Sequence, residues 1–132
     1  MPARRAQLSR DRIRRSLTNL GECQLKLQKY AAAEVSLHEA WEMSKQDVNA
    51  RWPYFNVQRL LATAMLKQKR YQEAEPLLLE AHEGLVRGSG ANRYVRALFI
   101  PETIDSLVEL YENTGQKAKA EHWKGKRAKD SK

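Results

Sequence analysis

The chain has 132 residues, with 24 Lys or Arg against 16 Asp or Glu and a formal net charge of +8. That length suits one domain able to bury a real core. No apolar run approaches the roughly 18 residues needed to cross a bilayer, and the single cysteine, Cys23, excludes an intramolecular disulfide.

Charge placement refines this reading. Residues 1–15 carry six Arg against Asp11, and residues 116–132 carry seven Lys or Arg against Glu121 and Asp130. Between them, eleven basic residues face thirteen acidic ones. The basicity belongs to the two ends, which reads first as solvated termini and second as a surface for polyanions. No charged-then-apolar leader opens the chain, so a cytoplasmic location is expected.

In chain order, residues 1–9 are expected to form a disordered basic lead-in, with Ser9 a candidate N-cap. Ile13, Leu17, Leu20, Gln24 and Leu27 then recur at steps of three and four, as on one face of a helix. Cys23 falls where a small side chain is wanted, so a buried structural thiol is expected. A second helix spans about 31–46, with Ala33, Leu37, Ala40 and Trp41 on one stripe. Asp47 to Pro53 supplies capping and breaking residues, so a loop or helix start belongs there. The next helices occupy about 54–68 and 71–87, and Pro76, about one turn into the latter, predicts a slight kink. Gly88-Ser89-Gly90 reads as a turn, because the Lys-Ser/Thr of a nucleotide loop does not follow it. A fifth helix runs over about 93–113, with Pro101 a candidate bend and Gly115 its left-handed C′ residue. The sixth, about 117–127, fades into a polar tail at 129–132.

An internal repeat organises these helices. Leu20-Gly21, Tyr30, Ala33, Leu37 and Ala40 are answered 41 residues later by Leu61-Ala62, Tyr71, Ala74, Leu78 and Ala81. A weaker third copy carries Tyr111, Gly115 and Ala120, the last 46 residues after Ala74. A fixed period on helical spacing predicts an all-α, α-solenoid array of three stacked helix-turn-helix hairpins, about six helices, with repeats near 10–46, 53–88 and 93–128. Gly21/Ala62, Ala33/Ala74 and Ala40/Ala81 let antiparallel helices approach closely, and Leu20/Leu61 and Leu37/Leu78 fill the space between them. Tyr30 and Tyr71 plug the turn where each second helix begins. Trp41, Trp52 and Tyr54 gather at the junction of the first two repeats, as an aromatic core that locks one against the next.

The phrases LTNLGECQLKLQKYAAAEVSLHEAWE and LLATAMLKQKRYQEAEPLLLEAHEGL resemble tetratricopeptide (TPR) repeats. The long period is similar to the extended form in kinesin light chains and bacterial arrays, and LVELYENTGQKAKAEHW resembles the closing repeat of TPR regions that follow bacterial serine/threonine kinase domains. Gln24 and Met65 depart from the family by replacing a tyrosine, Gln28 and Lys69 by standing where a turn glycine is common. Lys124 stands where Leu37 and Leu78 were. The resemblance implies a right-handed solenoid whose first helices line a concave groove for a protein or peptide. By carry-over the lining is Arg15, Thr18, Asn19, Glu22, Lys26, Arg59, Leu60, Thr63, Leu66, Lys67, Asp105, Ser106, Glu109 and Glu112. It is basic toward repeats one and two and acidic toward repeat three, which suits a ligand of opposite charge at its two ends.

No catalytic signature accompanies the repeat. The three histidines, His38, His82 and His122, are far apart in sequence, and no GxSxG, HExxH, CxxC or EF-hand loop occurs. The expectation is a non-enzymatic scaffold without metal or cofactor and without a membrane role. Two rival classes stand beside it: an adaptor binding nucleic acid or another polyanion through the basic ends, and a homo-oligomer formed by pairing of apolar stacking faces.

Overall fold

The computed structural model describes residues 2–45, 52–87 and 93–130, the side chains of 2–4 and 130 excepted. All described secondary structure is helical: α1 (Pro2–Lys26), α2 (Tyr30–Lys45), α3 (Trp52–Lys67), α4 (Tyr71–Val86), α5 (Arg93–Asn113) and α6 (Lys117–Asp130). Successive helices pack as three hairpins, and α2 against α3 and α4 against α5 stack them into an array. Helix α1 also approaches α3, and α3 approaches α5, whereas α2, α4 and α6 do not approach one another. The first helices therefore lie on the inside of the array and the second helices on its outside.

Two boundaries differ from expectation. Helix α1 starts at Pro2, so residues expected as a disordered lead-in are helical and Ser9 lies within the helix. Proline costs nothing at the first helical position, where its missing N–H has no partner to lose. The Ala-Arg-Arg-Ala-Gln-Leu run behind it consists of strong helix formers. At the other end α6 continues through Asp130 rather than fading near 127. The Gly88-Ser89-Gly90 turn and most of the Asp47–Pro53 breaker lie outside the described residues.

Each hairpin closes through the same turn. Lys29 N–H bonds the Gln24 carbonyl and Gln28 N–H the Leu25 carbonyl; Arg70 and Lys69 repeat this on Met65 and Leu66, and Gln116 and Gly115 on Tyr111 and Glu112. These paired bonds form the Schellman termination, which needs a left-handed residue just past the helix. Gln28 (φ 62°), Lys69 (φ 66°) and Gly115 (φ 72°) supply it. Only the third turn has the glycine for which that conformation is free of steric cost.

Small residues set the helix spacing. Ala33, Ala40, Ala62, Ala74 and Ala81 are fully buried. A Cβ on Gly21 would overlap the Leu37 side chain, and one on Gly84 would overlap the Phe55 ring. The core runs continuously from Ala33 and Leu37 to Ala120 and Trp123. In the last hairpin Trp123 is buried while Lys124 turns outward to Glu112 and Glu121, so the core takes Trp123 where the repeat spacing pointed to position 124. The aromatic residues divide between two junctions. Trp41 lies 6.0 Å from Tyr54 between repeats one and two, but Trp52 lies 6.0 Å from Phe99 on α5, joining repeats two and three.

Polar staples recur with the repeat. Glu34 on α2 accepts from Arg70 at 2.6 and 2.7 Å and from Gln68 at 2.8 Å. Its counterpart Glu75 on α4 accepts from Tyr111 at 2.7 Å. Both reach 36 residues forward, to the turn region of the next hairpin. Burial opposes ionisation of Glu34, but the hydrogen bonds from Arg70 and Gln68 outweigh it and hold the carboxyl below its ordinary value.

Cys23 is exposed, contrary to the buried thiol expected, and so is Leu20, which was expected to fill the space between the helices of the first hairpin as Leu61 does in the second. The counterpart of Cys23, Ala64, is fully buried because α2 covers that side of α3, and no described helix covers the same side of α1.

Relief of the strained turns is measurable. Gln28→Gly and Lys69→Gly should each stabilise the fold by roughly 0.5–1 kcal/mol, the left-handed penalty less the added entropy of the unfolded chain. Urea melts of the two variants against wild type give the difference directly, and Gly115→Lys should move the other way. The Glu34 contribution has a defined pH window. Its folded pKa is depressed, so its stabilisation is full above the ordinary carboxylate pKa and is lost as pH falls through the lower folded value. The stability gap between wild type and Glu34→Gln should hold near neutrality and close on acidification.

Candidate interaction surface

The inner surface is built on α3, flanked by α1 and α5. Helical spacing puts Asn56, Arg59, Thr63 and Lys67 on the side of α3 that meets α5. Three polar rungs cross to α5: Arg59 to Glu102 at 2.9 Å, Thr63 to Ser106 at 3.3 Å, and Lys67 to Glu109 at 2.8 Å. Arg59 also lies over the Phe99 ring at 4.4 Å, in cation–π geometry. Arg59 is 4% exposed, and burial lowers the pKa of its guanidinium against the opposing charges of Glu102 and Glu22. A guanidinium stays protonated even there, so its positive charge remains in the interior.

Apart from Thr63, Lys67, Ser106 and Glu109, which form the rungs, the expected lining divides into three groups. Arg15, Asn19 and Lys26 are exposed on α1, with Glu22 half-buried beside them. Thr18 is buried, its hydroxyl donating to the Arg14 carbonyl at 2.8 Å. Arg59, Leu60 and Leu66 are buried beneath the surface. Asp105 and Glu112 turn away toward α6, where they meet Arg127 and Lys124, each at 3.0 Å. The charge gradient expected along the groove is thus largely closed on itself: Arg59 and Lys67 face acidic partners across α3 and α5, and two of the acidic groups face basic ones on α6. A ligand of opposite end charges would have to displace these pairs, which removes the reason for preferring it.

What remains open is hydrogen-bonding capacity. Asn56 Oδ1, both ends of the Gln58 amide and Arg59 Nε are buried and make no hydrogen bond among the described residues. Gln58 is fully buried at the position that Leu17 holds in repeat one. Buried polar atoms without partners are uncommon in folded proteins, because each forgoes its bond to water. Asn56, Gln58 and the partners Glu102 and Phe99 were not among the expected lining. Asn56 precedes Arg59 by three positions and Thr63 by seven, a helical spacing that could have disclosed it.

No family model, no curated protein and no solved structure matches this chain.

The buried and exposed rungs should respond differently to charge reversal. Arg59→Glu puts a carboxylate into a buried site facing Glu102 and Glu22, a loss of about 3–5 kcal/mol. Lys67→Glu disturbs a half-exposed pair and should cost about 1 kcal/mol or less. Urea denaturation of both variants tests the ordering, and equal losses would contradict the burial of Arg59.

Proposed function

We propose that the chain is a TPR-type helical-repeat scaffold that binds a peptide or protein segment along the inner face of α1, α3 and α5. The observation that carries this reading is the set of unpartnered polar atoms on α3, Asn56 Oδ1 and Arg59 Nε, beside the partly buried aromatic rings of Trp52 and Phe99. An extended peptide offers backbone N–H and C=O groups at every residue. Both atoms are shielded by neighbouring side chains in the free chain, and a bound segment that displaces those side chains meets an acceptor for its N–H at Asn56 Oδ1 and a donor for its carbonyl at Arg59 Nε. Placed on helices cross-linked by three rungs, these groups are held without the entropy loss that mobile loops would incur. The rim adds Glu22 and Lys26 from α1 and Glu102 from α5, which give polar specificity rather than a uniform charge.

At the C-terminal end the polyanion reading draws less support. There Lys124 is engaged by Glu112 and Glu121, Arg127 by Asp105, and Lys126 lies over Trp123 at 4.7 Å. Cations already paired in this way offer a phosphate backbone less attraction than free ones.

A random peptide library displayed on phage, selected against the immobilised chain, tests the proposal. Selected peptides should bind Asn56→Ala at least tenfold more weakly, a loss of about 1.4 kcal/mol. The helical circular dichroism and urea midpoint of the variant should stay near wild type. Peptides indifferent to Asn56 and competing with no α3 variant would place binding elsewhere.

A further inference from the structure

The outer side of α1, away from the groove, carries a surface that the reading above does not use. Ile13, Leu20 and Leu27 recur at seven-residue steps with Ser16 and Cys23 between them, a seam of the kind that two packed helices share. All five are exposed; Leu20 is 48% and Leu27 67% accessible. The counterparts 41 residues later are Tyr54, Val57, Leu61, Ala64 and Gln68. There the same seam is covered by α2: Val57, Leu61 and Ala64 are fully buried, Tyr54 packs on Trp41, and Gln68 bonds Glu34. The chain thus contains a worked example of what fits this side of a first helix, namely a second helix with an apolar stripe and a carboxylate beside it.

Charge specifies the occupant further. Arg5 and Arg12, which flank the seam by helical spacing, form no ion pair within the described residues, and Arg10 only donates to Gln7 at 3.1 Å. Asp11, the one acidic group among them, accepts from Gln7. Elsewhere the basic side chains that face another helix are matched: Arg59, Lys67, Arg70, Lys124 and Arg127 all meet carboxylates. A second copy stacked head to tail would present the Lys-rich α6, and one stacked α1 on α1 would present the same arginines. Both arrangements set like charges together across an apolar seam.

We propose that this face of α1 docks an amphipathic helix lying outside these 132 residues, one whose apolar stripe is flanked by Asp and Glu. The seam supplies burial and the unpaired arginines supply orientation and selectivity. Because this surface is separate from the inner face, its test is separate from that of the groove.

The probe is a synthetic four-heptad peptide with Leu at the two core positions and Glu at the flanking ones, with a Lys-flanked peptide as control. Cys23 lies in the seam, so its alkylation by N-ethylmaleimide reports coverage. The Glu-flanked peptide should slow alkylation at least tenfold and the Lys-flanked one should not. Leu20→Ser, a change at an exposed site that leaves the circular dichroism intact, should weaken peptide binding at least tenfold. Arg10→Gln with Arg12→Gln should weaken it and flatten its salt dependence. Equal protection by both peptides, or none by either, overturns the proposal. So does protection without peptide that rises with protein concentration, which identifies a second copy as the occupant. Protection by phosphatidylserine vesicles or by single-stranded DNA in preference to the Glu-flanked peptide overturns it in favour of a membrane surface or a nucleic acid.

Discussion

Everything in this array depends on how closely the two helices of a hairpin can approach. In the first hairpin Leu37 occupies the space that a side chain on Gly21 would need. The distance is therefore set by a glycine on one helix and a leucine on the other. Alanines at 33, 40, 62, 74 and 81 hold the same spacing elsewhere, each fully buried. Interiors pack at crystal-like density, so one methyl too many on such a surface propagates as a backbone shift rather than being absorbed. The left-handed turns follow from this constraint, since helices so close must reverse direction within three residues.

Stacking joins the hairpins through the continuous apolar core and adds polar contacts at its edges. Glu34 and Glu75 occupy equivalent positions, and each reaches into the next hairpin, yet their partners differ: an arginine and a glutamine in one case, a tyrosine in the other. What recurs is a buried-edge acceptor facing donors near the next turn, and the donor can be any group of suitable reach. The rungs between α3 and α5 work in the same manner on the inner side. Together they fix the relative orientation of neighbouring hairpins, which apolar contacts alone, being non-directional, leave loose.

The two sides of the molecule offer different chemistry as a result. On the inner side most charges are paired across the array, and unpartnered hydrogen-bonding atoms sit next to aromatic rings. On the outer side of α1 the hydrogen bonds are made within the helix, but the apolar seam and the arginines flanking it have no counterpart among the described residues. The C-terminal hairpin ends differently: Trp123 is drawn into the core and the cations of α6 are tied to α5. The array is thus polar and closed at α6 and apolar and open at α1.

Periodicity made the helices, the hairpins and the tight-packing positions legible in the sequence, because each depends on local spacing and side-chain volume. Gly21, Ala62, Ala74 and Tyr71 could be assigned from their 41-residue echo alone, and Gln28 and Lys69 from the turn they occupy. The fate of individual polar residues was not legible. Arg59 and Lys67 look alike on paper, but one is buried against Phe99 and Glu102 while the other lies half-exposed on Glu109. Cys23 and Ala64 hold equivalent positions, and among the described helices only Ala64 has one over it. Trp52 went to α5 rather than to Trp41. In each case the outcome rests on which helix lies across a given face, a contact between residues tens of positions apart, and no local pattern carries that information. Composition and spacing determined that these helices form and pair; the tertiary arrangement decided which charges are satisfied and which faces stay open.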